Sequence, residues 1–385
     1  MVKEAIDVSK VPLEEVAELV REFGMGDLSI PPEKLFGGYS GSNFKVMDRS
    51  QFTAVLKVCH SYTKAEVEGQ ARMQGYLGQA GFKQACAALP LRSSPEIDRS
   101  PELTAEFVTT SKAGDPAMML TFCDGKAADA VIEGGADAGH VLEGIGENLA
   151  ELHMVPLAEG LRRYEDGACC DLGKHVSGEF LPLLRGNKYT KDHPYTKFYE
   201  EQRDALELAV KAQGLPLGIL HGDPFLDNIL VDPNSGDFKA FVDFEDACVG
   251  PLLFDVACCA AANCYRQSDN TLNVGLLRRF LRGYTRRRSF HQTEIDNFIP
   301  FMKVALLCNC SWRFMNFNIH HREIENCRNA HVELQNRIIE LEKAFLARRV
   351  ISALKPATLL KPIYFSVAAF LGCAFLKLFK TKGSA

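Results

Sequence analysis

HGDPFLDN, at residues 221–228, is followed by VDFED at residues 242–246. Asp223 precedes Asn228 by five positions, and Asp243 ends the next short apolar run. The sequence between the two motifs predicts two short strands joined by the turn-forming stretch Asp-Pro-Asn-Ser-Gly-Asp. Because a hairpin holds the loops at its open end side by side, we expect the three polar side chains to converge there.

These three side chains are of the types that phosphoryl transfer from ATP requires. A carboxylate can take the proton of an attacking hydroxyl, while a carboxylate and an amide oxygen hold Mg²⁺ against the phosphates. A polar turn followed by a capped strand is the alternative interpretation, because Asp and Asn are common in turns. The spacing of both motifs resembles the catalytic and metal loops of the kinase fold, and HGD in place of HRD resembles its branch that phosphorylates small molecules.

Composition limits the remaining possibilities. The 385 residues can bury a large core in two domains or lobes, and 46% hydrophobic with 24% charged residues is ordinary for a soluble globular protein. A net charge of −5 and a single Trp argue against a nucleic-acid partner. The 13 Cys lack any C-x-x-C pair, which predicts reduced thiols rather than disulfides or zinc. No signal peptide is recognisable, so we expect a cytoplasmic location.

Upstream, LFGGYSGSNFKVM at residues 35–47 predicts a glycine-rich hairpin. Glycines let backbone N–H groups approach an anion, so the tip of this hairpin is a candidate phosphate-binding loop. An ordinary turn is the alternative. The candidate nucleotide-binding residues of this hairpin are Gly38, Ser40, Gly41 and Ser42.

Lys57 lies in the apolar stretch AVLKV, on the strand that follows the hairpin. A lysine there is either an edge-strand residue that aids solubility or a ligand of the α- and β-phosphates, and its distance from the glycines favours the second role. The next segment, 63–79, is a predicted helix, and in the kinase fold an acid on this helix pairs with the lysine. Glu66 and Glu68 point about 200° apart on a helix, so only one can pair, and we favour Glu68. Exposed acids that interact with the helix dipole are the alternative.

Two further strands are predicted in EFVTT and AMMLTFCDG, which a Lys-Ala-Gly-Asp-Pro turn separates. In the kinase fold the second of these strands leads into the hinge, whose backbone binds the adenine edge. The resemblance therefore implies adenine contacts at Thr121 and Cys123.

The stretch around the two motifs carries a more specific resemblance. GILHGDPFLDNILVD, continued by KAFVDFEDACVGPLLFDVACCAAANCY, resembles the aminoglycoside phosphotransferase and choline kinase superfamily, and is most similar to the bacterial-type homoserine kinases. The similarity runs over about residues 35–320 and is dense at 217–265. It implies an α+β, two-lobed protein-kinase-like fold, with an antiparallel-sheet N-lobe, a mainly helical C-lobe, and ATP with Mg²⁺ bound between them.

The resemblance also implies a role for individual residues. In these roles Asp223 is the catalytic base, while His221 packs beneath the catalytic loop and Asp255 caps the following helix and ties the loops together. The nucleotide and its metal would be held by Lys57, as phosphate anchor, and by the metal ligands Asn228 and Asp243.

The acceptor is less specified. Homoserine is a zwitterion that needs a cation for its carboxylate and an anion for its ammonium. Arg313 is a candidate for the first, with Asp227 or Glu245 for the second. Arg313 is equally consistent with an intramolecular salt bridge. Choline, ethanolamine and an aminoglycoside are alternative acceptors, and choline would require aromatic side chains around its quaternary ammonium. An alternative of another class is a catalytically silent, membrane-tethered scaffold that binds a nucleotide.

The chain divides by pattern into an N-terminal helix at 1–30, an N-lobe at 31–123, a C-lobe at 124–350 and a tail at 351–385. The tail contains 14 successive uncharged residues, Ile363–Leu376, between basic flanks and no acids. This pattern predicts contact with a membrane, either as an anchor or as an interfacial helix, and a core helix is the alternative.

Overall fold

A computed structural model describes residues 11–35, 41–93, 105–163, 180–210 and 214–346. The predictions for Gly38, Ser40 and the tail 351–385 lie outside the described residues. The predicted boundaries between lobes remain predictions.

An antiparallel sheet forms the N-terminal part. Its order is β1-β2-β3-β6-β4, and β5 pairs with β6. The β2–β3 hairpin is continuous in register from Gly41 opposite Cys59 to Met47 opposite Thr53. The strands of this sheet are β1 Glu33–Leu35, β2 Gly41–Met47, β3 Thr53–Cys59, β4 Ala88–Leu89, β5 Val108–Thr110 and β6 Pro116–Thr121.

Helices cover both faces of this sheet because its central strands are apolar on both sides. The even-numbered residues of β3, such as Leu56, pack with α1 (Leu13–Glu22). The opposite face packs with α2 (Lys64–Gln79), which begins with a capping box between Thr63 and Glu66. Lys57 lies on the α2 side, where the lysine interrupts an otherwise buried strand.

The C-terminal part is mainly helical and has one large apolar core. It contains two small sheets, β10-β9-β7 and β11-β8. Their strands are β7 Lys126–Ala127, β8 Leu217–Leu220, β9 Ile229–Val231, β10 Phe238–Phe241 and β11 Cys248–Pro251. The helices are α3 Ala128–Glu133, α4 Ala138–His153, α5 Phe180–Gly186, α6 Pro194–Val210, α7 Leu253–Asn263, α8 Val274–Thr285, α9 Gln292–Met315 and α10 Ala330–Leu346.

This architecture confirms the predicted α+β fold with an antiparallel-sheet lobe and a helical lobe. The hairpin predicted between the two motifs is present as β9 and β10. Among the described residues, none of the helices has the length and apolar character needed to cross a membrane.

One loop connects the two parts near the site. The backbone N–H of Phe241, in β10, donates to the carbonyl of Gln84 at 2.7 Å. Three residues further along this loop, Ala87 exchanges hydrogen bonds with Thr121 at the end of β6. The segment from Gln84 to Ala87 therefore links the end of the N-terminal sheet to the strand that leads into Asp243.

Candidate active site

The catalytic-loop motif follows β8 and is held from below by Asp255, a fully buried residue of α7. The backbone N–H groups of His221 and Gly222 donate to the two Asp255 carboxylate oxygens at 2.6 and 3.0 Å. Asp255 also lies 3.3 Å from Nε2 of His153. The sequence predicts that Asp255 caps its helix and ties the loops together. In the structure its carboxylate binds the catalytic loop, and no side chain caps the start of α7.

His221 joins two loops, the catalytic loop of residues 221–228 and the candidate metal loop of residues 242–246. Its Nε2 lies 2.9 Å from the carbonyl oxygen of Val242, and its Nδ1 accepts the N–H of Asp223 at 3.2 Å. Burial lowers the pKa of His221. A neutral ring with its proton on Nε2 satisfies both bonds, and in this form His221 links the two loops.

Asn228 positions Asp223. The Asn228 side-chain amide donates to the Asp223 carboxylate at 2.9 Å and to the Asp223 carbonyl at 3.0 Å. The intervening residues form a 3₁₀ turn over Leu226–Asn228. The Asn228 amide nitrogen is therefore engaged by Asp223, which leaves its Oδ1 as the atom able to bind a cation.

Asn263, at the end of α7, also supports this loop. Its amide donates to the carbonyl of Pro224 at 3.1 Å. Nothing in the sequence singles out this residue, because an Asn at a helix end is commonplace and its partner lies 39 positions away.

Asp243 and Lys57 meet across the cleft. The Lys57 ammonium lies 2.7 Å from Asp243 Oδ1 and 3.2 Å from Glu245 Oε2, and its side chain is 8% exposed. Asp243 adopts a left-handed backbone conformation with φ of 63°. This bend turns the chain at the end of β10 and brings two carboxylates of one short loop to the same lysine.

Both members of this pair are charged. Burial disfavours the Lys57 ammonium, but Asp243 and Glu245 outweigh it and hold the pKa of Lys57 well above its usual value. Burial likewise disfavours the Asp243 carboxylate, but the charge and hydrogen bond of Lys57 keep its pKa below its usual value. The site thus places one buried lysine against two partly exposed acidic side chains.

The partner of Lys57 differs from the predicted one. Glu68 Oε1 lies 3.5 Å from Arg72 Nε and 3.4 Å from the backbone N of Phe107, so the carboxylates on Lys57 are those of the metal loop. Glu66 closes the capping box of α2. The rotation of α2 on the sheet turns Glu68 towards the Phe107 backbone, while the bend at Asp243 supplies the acids for Lys57.

Ser42 also differs from its predicted role as a nucleotide ligand. It is buried, and its Oγ lies 2.8 Å from Nε2 of His60, whose Nδ1 lies 2.7 Å from Asp115. Since strand side chains alternate and Asn43 is opposite Lys57 in register, Ser42 lies on the other face of the sheet. Asn43, rather than Ser42, shares the face of Lys57. The alternation relative to Lys57 was the signal in the sequence that could have shown this.

The predicted hinge follows β6. Thr121 is held by Ala87 through its backbone N–H and its hydroxyl. Cys123 is partly exposed and its Sγ lies 3.0 Å from Sγ of Cys86. Together with Val242, which precedes Asp243, Cys123 packs against the apolar cluster between the sheet and α2. The hinge, at Cys123, and the candidate metal loop, at Val242, therefore lie beside the same cleft.

The three candidate acceptor residues are not gathered around one position. Arg313 donates to Glu333 at 2.8 Å and to the carbonyl of Ala330 at 3.2 Å, so it has the salt-bridge role that the sequence left open, joining α9 to α10. Glu245 contacts Lys57, and Asp227 is exposed on the 3₁₀ turn.

The donor set fits a nucleotide-bound Mg²⁺. Among the described residues, no group of three or more His, Cys, Asp or Glu side chains is arranged to hold a metal ion. Mg²⁺ in phosphoryl-transfer sites is typically held by one or two protein oxygens together with substrate phosphates and water. The Asn228 amide oxygen and the Asp243 carboxylate match this sparse donor set.

Comparison with known proteins gives a consistent result. The sequence model of the phosphotransferase enzyme family matches residues 33–290. A homoserine kinase of Caulobacter sp. (strain K31) is 33% identical over 166 residues, which are 37% of this chain and 51% of that protein. A homoserine kinase of Bradyrhizobium diazoefficiens is 26% identical over 293 residues, which are 74% of this chain and 78% of that protein.

The fold is also that of known structures. A choline/ethanolamine kinase family protein from Mesorhizobium loti superposes with a TM-score of 0.56 at 15% identity, over 88% of this chain and 99% of that one. At this identity the likeness concerns the fold alone.

Proposed function

Because the chain belongs to the phosphotransferase enzyme family and is a small-molecule O-kinase, we propose that it transfers the γ-phosphate of ATP to the hydroxyl of homoserine or a similar amino alcohol. The observation that carries the reaction type is the arrangement of Asp223, Asn228 and Asp243 opposite Lys57. The substrate rests on the names of relatives that are 26–33% identical.

In this proposal Asp223 orients the acceptor hydroxyl and takes its proton as the phosphoryl group is transferred in line. The hydrogen bond from Asn228 stabilises the ionised carboxylate and fixes its direction. The backbone bonds to Asp255 keep the loop from shifting as the charge develops. Each of these contacts fixes the position of the base, and phosphoryl transfer is accelerated mainly by positioning together with electrostatic stabilisation.

The Asn228 amide oxygen and the Asp243 carboxylate would hold Mg²⁺, which when bound neutralises charge on the β- and γ-phosphates. Lys57 would then exchange its Asp243 contact for a phosphate oxygen. Its long, flexible stem permits this change with little movement of β3.

The test is a panel of acceptors with ATP and Mg²⁺, with phosphorylated product identified by mass spectrometry. Homoserine, choline, ethanolamine and an aminoglycoside are compared, with Asp223→Asn as the matched control. Turnover that is fastest with homoserine and at least about 100-fold lower in the control supports the proposal. Turnover with choline alone would reassign the acceptor. Nucleotide binding without turnover of any acceptor would favour the silent scaffold.

We also propose that the basic, apolar tail at 351–385 contacts a membrane surface and that the kinase acts in the cytoplasm. Support for the tail comes from its composition alone, with 14 uncharged residues between basic flanks. The catalytic contacts described above involve none of these residues.

A further inference from the structure

Two thiols touch at the edge of the nucleotide cleft. Cys86 lies in the loop that links the hinge to β10, and Cys123 lies two residues beyond the end of β6. Their sulfur atoms are 3.0 Å apart, with both residues in the reduced form. A disulfide bond is about 2.05 Å long, so its formation requires an approach of roughly 1 Å.

The two thiols differ in exposure. Cys86 is 6% exposed, whereas Cys123 is partly open to solvent. The hydrogen bond from the Cys86 thiol lowers the pKa of Cys123 and raises that of Cys86, and burial raises the pKa of Cys86 further. An accessible thiol with a lowered pKa beside a buried thiol is the arrangement in which one sulfur attacks and the other resolves.

We propose that Cys86 and Cys123 form a thiol–disulfide exchange site for low-molecular-weight disulfides, and that the disulfide formed there opposes nucleotide binding. The Cys123 thiolate attacks one sulfur of the external disulfide, breaks its S–S bond and releases one thiolate. Cys86 then loses its proton and attacks the Cys123 sulfur of the mixed disulfide, releasing the second thiol. Overall, two protein thiols are oxidised to one disulfide and the external disulfide is reduced to two thiols.

The site is selective within the described chain. The other cysteines there are buried, while an external disulfide must reach its attacking sulfur. Beside the two cysteines, Ala87 and Thr121 are hydrogen-bonded to each other. These bonds hold the two backbone segments together before oxidation. Pre-organisation of this kind favours an intramolecular disulfide over a persistent mixed one.

The coupling to nucleotide follows from position and rests on the proposed ATP-binding function. Cys123 and Val242 pack against the same apolar cluster at the cleft, and the Cys86 loop carries Gln84, whose carbonyl holds β10. Nucleotide bound at the hinge covers Cys123. A disulfide draws the hinge towards the Cys86 loop, and so changes the edge that the adenine would contact.

The experiment treats the full chain with glutathione disulfide, with and without ATP and Mg²⁺, and maps the products by mass spectrometry of peptides. We expect a Cys86–Cys123 disulfide as the first product, formed about tenfold more slowly with saturating nucleotide because Cys123 is covered. Cys86→Ser should accumulate a stable glutathione adduct at Cys123. Cys123→Ser should form no adduct at Cys86. First oxidation elsewhere in the chain, or equal adducts in both variants, would overturn the exchange site.

A second measurement separates the coupling from the chemistry. Binding of a fluorescent ATP analogue is compared for reduced and oxidised protein, and the dissociation constant should rise at least about fivefold on oxidation and return after dithiothreitol. An unchanged constant in fully oxidised protein would overturn the coupling. Failure of the proposed phosphoryl transfer is distinguishable, because peptide mapping requires no turnover.

Discussion

Gly222 is the residue at which HGD differs from HRD, and the structure gives a physical reason for glycine there. Its φ is +89°, and a Cβ on it would lie 2.4 Å from the carbonyl oxygen of Asp246 and 2.7 Å from the carbonyl carbon. The obstructing atoms belong to the backbone of the metal loop and cannot rotate away. We therefore predict that Gly222→Ala displaces the catalytic loop from the metal loop.

The magnitude has two parts. An L-residue in a left-handed conformation costs about 1–2 kcal/mol, and overpacking against a fixed backbone adds about 1–3 kcal/mol. Gly114→Ala is the matched control, because Gly114 has φ of +92° but nothing within 4 Å of the added Cβ. It should cost only the conformational part, so the difference between the two variants isolates the overlap with Asp246.

The assays are urea unfolding and steady-state turnover with the best acceptor. Gly222→Ala should lose about 2–5 kcal/mol of unfolding free energy, or about 1–3 kcal/mol more than Gly114→Ala. A loop shift of about 1 Å would in addition lower turnover about 100-fold in the first variant, with normal turnover in the second. Equal stability and equal turnover of the two variants would refute the close approach of the two loops as the reason for glycine in the motif.

Three further predictions concern the site and the tail. Asp223→Asn should lower turnover about 10²–10⁴-fold with nucleotide affinity unchanged, measured by product formation and analogue binding; retained turnover would exclude Asp223 as base. Because Lys57 depresses the pKa of Asp243, their stabilisation is present above the unfolded carboxyl pKa of about 3.9 and is lost as pH falls through the folded value. The difference in unfolding free energy between the wild type and Lys57→Met should therefore become smaller below about pH 4. A difference that does not change with pH would contradict the stabilising ion pair between Lys57 and Asp243. Removal of 351–385 should leave turnover intact and move the protein from the membrane to the soluble fraction; misfolding would make the tail part of the core.

The features that the sequence could predict are those built from local chain geometry. The β9–β10 hairpin follows from a turn-forming stretch between two apolar runs, and it brings Asn228 and Asp243 to one end without help from distant residues. Asp223 is placed by a turn of six residues, which the hydrogen bond between Asn228 and Asp223 closes. The motif therefore specifies the local geometry of that part of the site, while the support from Asp255 and Asn263 comes from α7.

Contacts between distant elements were harder to predict. Helical periodicity shows that Glu66 and Glu68 point apart, but not which of them faces the sheet, since that depends on how α2 packs on apolar neighbours from four strands. The carboxylates that reach Lys57 lie 186 and 188 residues away. Their approach requires the left-handed Asp243, a conformation that residue type alone does not dictate.

The same arrangement has an electrostatic consequence for how ligands enter the cleft. Lys57 contributes one positive charge against the carboxylates of Asp243 and Glu245, so these three groups carry a net charge of −1 where phosphates must approach. If Lys57 turned to a nucleotide without a cation beside it, two partly buried carboxylates would face the triphosphate, and this repulsion would oppose binding. A divalent cation held by Asp243 would offset that repulsion and would leave Lys57 able to contact a phosphate oxygen. Nucleotide and metal are therefore expected to bind to this site as one unit, because each relieves the charge that the other would leave exposed.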